Sequence, residues 1–188
     1  MAKFRCLNCA RCCRGLTVPV TRVDLARWLR LGLYWLAASV VEVRGLEAFR
    51  MGSSVIYAMP SRADGGCLYL DGFKCSIYPV RPLVCTLFPF AYSSRRDDVG
   101  PHPWAPANCE AFRRGLVEVG EEERGALLEV ARTLFRELTR VDENREDYER
   151  LLSEARARVR AILGQAIWLR QPYVPPGLAG YPHAPYLS

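Results

Sequence analysis

Four cysteines fall within eight residues near the start of the chain, as Cys6-x2-Cys9-x2-Cys12-Cys13, and no other feature restricts its folding so much. A gap of two residues lets one turn of backbone aim successive sulfurs at a single centre, which is why the spacing recurs in zinc knuckles and iron–sulfur loops. Three such sulfurs can occupy three corners of a [4Fe–4S] cluster. Here, however, a fourth cysteine follows at once and no Cys-Pro pair closes the run. Wound as a helix, the segment would hold Cys6, Cys9 and Cys13 within about 60° of one another, with Cys12 about 60° further round. Cys67, Cys75, Cys85 and Cys109 are separated by seven, nine and twenty-three residues and converge only through tertiary folding. Four plus four permits two tetrahedral four-thiolate zinc sites, or one cluster with a separate zinc; it also permits disulfides.

The cellular compartment weighs between ligation and disulfides. With 188 residues, half of them hydrophobic and 24% charged, the chain is long enough for a core that needs no disulfide to fold. Its first fifteen residues are rich in arginine and cysteine where a secretory signal would be apolar. The longest apolar stretch, Leu31 to Val41, is interrupted by Gly32 and Ser39 and is about half the ~20 residues of a membrane span. The expectation is a soluble cytoplasmic protein without membrane partners, where a reducing environment favours ligation. Hyperthermophiles are the exception to that rule. The bias of 24 arginines to 2 lysines fits such a source, although a GC-rich genome leaves the same mark.

Charge is unevenly spread. Residues 1–60 hold nine Lys/Arg against three Asp/Glu, while the rest of the chain is nearly balanced. Cations around a metal–thiolate centre offset its negative charge, and this is the plainer reading of the basic N-terminal third. Nucleic acid is the lesser alternative as a partner for the same patch.

The pattern predicts a helix-rich α+β fold. In it, a cysteine-cluster and hairpin part (1–116) is organised round a metal centre and packs on a C-terminal antiparallel helix pair (117–170), with an extended Pro/Tyr tail (171–188). Thr21-Arg-Val-Asp24 reads as a capping-box helix start with Leu25, Trp28, Leu29 and Leu33 on one face, and Gly32 ends or bends that helix. A second helix is expected from about Ala37 to Phe49. Val55-Ile56-Tyr57 and Leu68-Tyr69-Leu70 read as strands, and the Asp71-Gly72 turn makes Cys67–Cys75 a small hairpin. Residues 79–106 carry six of the thirteen prolines and read as loop with one helical turn. Two helices follow, Glu121–Leu138 with a stripe of Leu127, Leu128, Ala131, Leu134, Phe135 and Leu138, and Glu146–Leu169 with a stripe from Tyr148 and Leu151 to Ile162, Leu163 and Ile167. The tail Gln171–Ser188 has no charged side chain, five prolines and three tyrosines. It reads as a strap over the helix pair, or else as a peptide that docks on a protein partner.

Cys6-x2-Cys9-x2-Cys12-Cys13-Arg14, followed by Cys75-Ser-Ile-Tyr-Pro-Val-Arg81-Pro82-Leu-Val-Cys85 and Phe88-Pro89-Phe90, resembles the YkgJ-type cysteine-cluster family, also described as the CxxCxxCC zinc- or iron-chelating domain. The resemblance runs from Cys6 to Cys109. It implies metal or iron–sulfur binding by Cys6, Cys9, Cys12, Cys13, Cys67, Cys75, Cys85 and Cys109. Members often have glycine after the second cysteine, where this chain has Ala10. Pro79 and Pro82 restrict the backbone that presents Cys85. Arg81 reads either as a group that donates hydrogen bonds to metal-bound sulfurs, tuning the cofactor, or as a structural arginine paired with a carboxylate such as Asp24.

Catalytic signatures are hard to find. His102 and His183 are the only histidines, and neither has the spacing of a zinc hydrolase or deaminase. His102, seven residues before Cys109, is an alternate ligand or, more simply, a surface loop residue. The cofactor expected is an iron–sulfur cluster, [4Fe–4S] among the forms, or zinc, in one or two centres with a structural or redox role. Two alternatives stand beside it. One is an enzyme or accessory factor related to the cysteine-cluster lysine methylases, which share the cysteine pattern. The other is a nucleic-acid or ribosome-associated module using the basic third.

Overall fold

The capping box read from Thr21 and Asp24 is present in the structure, a computed structural model that describes residues 6–117 and 119–169. The Thr21 side chain accepts from the Asp24 amide, and the Asp24 carboxylate accepts from the Thr21 amide. This starts α2 (Arg22–Arg30), which follows a single short turn of helix, α1 (Arg11–Gly15), and precedes another, α3 (Tyr34–Ala38). Gly32, at φ 71°, reverses the chain between α2 and α3.

The helix expected over Ala37–Phe49 is instead three elements: the end of α3, strand β1 (Val41–Arg44) and α4 (Leu46–Arg50). The run Val40-Val-Glu-Val43 is β-branched at three of four positions, and such side chains fit a pleated strand better than a helix. β1 pairs antiparallel with β2 (Val55–Ala58), which is buried along its whole length. β3 (Leu70–Asp71) and β4 (Lys74–Cys75) form the expected hairpin, turned at Gly72 with φ 56°.

The stretch read as loop contains more structure than its prolines suggested. A 3-10 turn at Tyr78–Val80 leads to α5 (Leu83–Leu87), and β5 (Phe90–Ser93) pairs with β6 (Asp98–Pro101). Pro89 immediately precedes β5 and Pro101 ends β6, strand-end positions of a two-stranded sheet where proline is tolerated. Two short helices, α6 (Ala105–Asn108) and α7 (Glu110–Arg113), flank Cys109; α8 (Glu121–Leu138) and α9 (Arg145–Leu169) complete the described chain. No helix among the described residues is long and apolar enough to cross a membrane. The tail Gln171–Ser188, with His183, lies outside the described residues.

The two long helices bury their stripes in different places. Tyr148, Leu151, Leu152 and Ala155 of α9 close a core with Leu25 and Trp28 of α2, Leu36 of α3 and Val55 and Tyr57 of β2. Ala131 and Leu134 of α8 instead cover Leu87, Phe90 and Val99 from α5 and the β5–β6 hairpin. Arg22 links the two helices, pairing with Glu137 at 2.9 Å and Asp147 at 2.7 Å. Other stripe residues lie outside these cores: Phe135 sets its ring against Tyr92, and Ile162 and Leu163 are exposed.

Tyr57 and Tyr148 stack at 4.2 Å, and their buried hydroxyls have no hydrogen-bond partner of good geometry among the described residues. An unmatched buried hydroxyl costs stability, so Tyr148→Phe is expected to leave the unfolding free energy unchanged or raise it by about 1 kcal/mol. Chemical denaturation reads this out, and a loss larger than that gain would mean the hydroxyl is engaged.

Candidate metal centre

Each cysteine is carried by a short, irregular element, and the elements are tied to one another by main-chain contacts. Cys6 to Ala10 is not helical. Asn8 (φ 53°) and Ala10 (φ 59°) are both left-handed and fold the segment back before α1 begins. A left-handed backbone is easiest for glycine, so Ala10 is held in a strained conformation. The amide of Asn8 donates to Cys6 Sγ at 3.4 Å.

α1 carries Cys12 and Cys13 but buries none of its own residues. It is held from outside. The Cys67 amide donates to the Cys13 carbonyl at 2.7 Å, and Arg14 donates to the Gly72 carbonyl at 3.2 Å while lying over the Phe73 ring. On its other side, Arg11 pairs with Glu110, next to Cys109, at 3.8 Å. The hairpin holds Cys75 opposite Leu70, and Leu70 returns an amide hydrogen bond to Cys67.

Cys85 sits on α5, whose start is fixed by α2. The Asp24 carboxylate, fully buried, accepts from the Leu83 amide at 3.0 Å as well as from its own cap residue. Arg27 donates to the carbonyls of Val80 and Arg81, and Trp28 Nε1 donates to Val80 at 2.7 Å. Asp24, Arg27 and Trp28 are therefore site-building residues that the sequence reading did not identify as such. The capping box was visible in the sequence, but its second contact, 59 residues away, had no local signal.

All eight cysteines line one cavity of about 130 Å³. All are free thiols; Cys109 is buried and the other seven are partly buried. Cys12 Sγ and Cys13 Sγ lie 3.9 Å apart, far beyond the ~2.05 Å of a disulfide. Among the described residues no three histidine, cysteine or acidic side chains are drawn together tightly enough to grip an ion as they stand. A metal would have to draw the sulfurs inward.

The electrostatics fit such a group. Burial pushes the Cys67, Cys75, Cys85 and Cys109 thiols up, so without a cation they resist ionising. Backbone amides work the other way at three of these positions: Tyr69 for Cys67, Ile77 for Cys75, and Phe112 and Ala111 for Cys109 all favour the thiolate. Cys12 and Cys13 share a hydrogen bond that raises Cys12 and draws Cys13 down to about 7. One proton leaves this pair readily and the second is held. A bound cation reverses the burial penalty directly, because a coordinating thiol is deprotonated outright.

Arg81 lines the cavity and favours the charged form of Cys75. Its guanidinium lies over the Tyr78 ring at 3.9 Å and donates to the Tyr78 carbonyl. The carboxylate partner considered for it, Asp24, pairs with Arg27 instead at 3.2 Å. His102 is not among the cavity-lining residues. It packs between the rings of Phe88 and Trp104, and its Nδ1 accepts from the Trp104 amide.

Among known families, residues 5–110 fit the one described as "CxxCxxCC: Putative zinc- or iron-chelating domain". No curated protein and no solved structure matches the chain. The matched region is more than half of the chain and contains all eight cysteines, so the protein belongs to the CxxCxxCC zinc- or iron-chelating family.

Proposed function

We propose that the protein binds zinc or iron through its cysteine thiolates, and that the metal fastens together the segments that carry them. The observation that carries this reading is the convergence of all eight cysteines on one cavity from four separate stretches of chain. An all-sulfur donor set selects zinc or iron–sulfur chemistry over hard cations such as magnesium or calcium. Cys6, Cys9, Cys12, Cys13, Cys67, Cys75, Cys85 and Cys109 are the ligands, and Arg81 beside Cys75 is the cation that tempers the charge of the centre. When bound, the metal supplies cross-links that a helix without buried residues cannot supply for itself.

The partial solvent exposure of several of the cysteines favours a second role, since an electron-transfer centre must lie near solvent or a partner. Metal analysis with visible absorption on anaerobically purified protein tests both. Stoichiometric zinc and no colour supports a structural centre. Iron with acid-labile sulfide and a broad visible band supports a redox cluster. Neither metal, with eight freely titrating thiols, overturns the reading.

A further inference from the structure

We infer that the chain's own C-terminal segment, Pro182-His-Ala-Pro185, docks in an aromatic groove between α8 and the β5–β6 hairpin. This goes beyond the metal-binding reading and does not depend on it.

The groove is a second cavity, of about 280 Å³, lined by Phe90 to Tyr92 of β5 and by Ala131, Leu134 and Phe135 of α8. It shares Val84 and Phe88 with the cysteine cavity, but no cysteine lines it. Among the described residues that line it there is no Asp, Glu, Lys or Arg, in a chain that is 24% charged. Trp104 and Phe135 remain 59% and 42% exposed at its walls, so the fold leaves two large rings open to solvent.

The tail Gln171–Ser188 has matching chemistry, with five prolines, three tyrosines and no charged side chain. Aromatic-lined grooves take up proline-rich segments because PPII backbone has little conformational entropy left to lose. A charged segment would bury its charges there without partners.

Spacing matches as well. The aromatic side chains form two groups along β5. Phe88, His102 and Trp104 tilt against one another at its start, at 5.6 and 5.5 Å, and Tyr92 meets Phe135 further on, at 5.3 Å. The His102 amide donates to the Pro89 carbonyl, and Tyr92, three residues beyond Pro89, is about 10 Å further along an extended strand. A PPII segment repeats every three residues, or about 9 Å, so Pro182 and Pro185 meet the two groups in turn. His102 Nδ1 accepts from the Trp104 amide. The neutral ring therefore carries its proton on Nε2, where it can donate to a carbonyl of the docked segment.

Reach selects this segment over the tail's other Pro-x-x-Pro run, Pro172 to Pro175. The groove extends to Leu138 at the end of α8, and Arg22 ties that end to the start of α9 through Glu137 and Asp147. The 25 residues of α9 then carry the chain about 37 Å away. Returning at ~3.1 Å per residue takes about twelve residues from Leu169, which brings Pro182 to the groove and leaves Pro172 short of it.

Two measurements test the docking. In the first, Tyr186→benzoylphenylalanine in the full-length protein is irradiated and its cross-links are mapped by mass spectrometry. Cross-links within one chain to residues 88–104 or 131–138 are expected. Cross-links to the surface of Trp35 and Ile162, or to no part of the folded chain, overturn the proposal. Cross-linked dimers overturn docking within one chain and give the groove to a second copy's tail. In the second, a labelled Tyr181–Ser188 peptide is titrated into the full chain and into a chain ending at Gly180, with fluorescence anisotropy as the readout. A tethered segment acts at about millimolar concentration, so the full chain is expected to bind the free peptide about tenfold more weakly than the shortened one. Carrying Pro182→Ala/Pro185→Ala in the peptide, or Trp104→Ala in the shortened chain, is expected to weaken binding by about tenfold. Equal binding by both chains, or binding indifferent to the two prolines, overturns the proposal. The cross-link map needs no change in the groove, so it decides the matter even if Trp104→Ala disturbs the fold.

Discussion

Stripping the metal from the purified protein is expected to unfold the segments that carry the cysteines while the core around Trp28 stays folded. The reason lies in how unevenly apolar burial is distributed. α2, α3, β2 and α9 share a continuous cluster that includes Trp28, Leu36, Tyr57 and Tyr148, all nearly inaccessible to solvent. α1 buries none of its residues, and the segment from Cys6 to Gly15 contributes only Ala10 to the interior. Such a segment cannot offset its own ordering cost, which is about 1–2 kcal/mol per residue for the backbone alone. Binding free energies of about 10–16 kcal/mol for a structural zinc site are of the size needed.

Hydrogen exchange with and without chelator checks this. Residues 6–16 and the amides around Cys67 and Cys109 should lose protection, while Leu25 to Arg30 and Tyr148 to Ala155 keep theirs. Trypsin should cut after Arg11 and Arg14 in the chelated protein and leave the metal-loaded protein intact at those sites. Protection that is the same in both states would mean that the segment is held by something other than metal.

How far the sequence discloses this arrangement depends on the range of each signal. α8 and α9 are legible because a 3.6-residue period needs only neighbouring residues, and the boundaries Glu121–Leu138 emerge as written in the pattern. The Thr21–Asp24 cap is local for the same reason. The β5–β6 hairpin is hidden because its four-residue connection, Ser94 to Asp97, contains no Asn-Gly or Asp-Gly signal and its flanks are rich in proline. Phe135 has the right spacing for the core but lands against Tyr92 at its edge, because the hairpin that α8 covers is narrow.

At the site, spacing and family resemblance together single out the eight cysteines that the fold brings to one cavity. They do not show that the segment before α1 is turned by two left-handed residues rather than wound as a helix, so the angular arrangement expected of Cys6 and Cys9 does not apply. Nor could they show on which side of α1 each distant cysteine arrives, which is a property of the folded chain alone.

Removing the Asp24 carboxylate is expected to cost more than removing any surface charge, although Asp24 is not a ligand. Its side chain is 0% exposed. One oxygen accepts from the Thr21 amide and hydroxyl, and the other from the Leu83 amide and from Arg27. Asp24→Ala leaves those donors without an acceptor and Arg27 without its counter-charge. Breaking a buried pair in this way costs about 3–5 kcal/mol, and the 30% exposure of the Arg27 side chain places the expected loss at the lower end. Glu129→Ala, which removes an exposed pair with Arg132, should cost less than about 1 kcal/mol.

The sign of the pH dependence distinguishes charge from shape. Burial raises Asp24 above the ordinary carboxylate value despite the opposing hydrogen bonds and Arg27. The folded protein therefore holds this proton longer than the unfolded chain does. Its contribution makes stability fall as pH rises from the ordinary aspartate value through the raised one. Asp24→Asn removes that slope while keeping one acceptor, and it should be milder than Asp24→Ala.

Because Leu83 opens the helix that carries Cys85, the same loss should reach the metal. Outer partners that orient ligands are worth about 10- to 100-fold in metal affinity, and Asp24→Ala should weaken metal binding by that order. Denaturant midpoints together with competitive chelator titration read both effects. A variant as stable as the unaltered protein, with its metal affinity intact, would show that α2 does not set the position of Cys85.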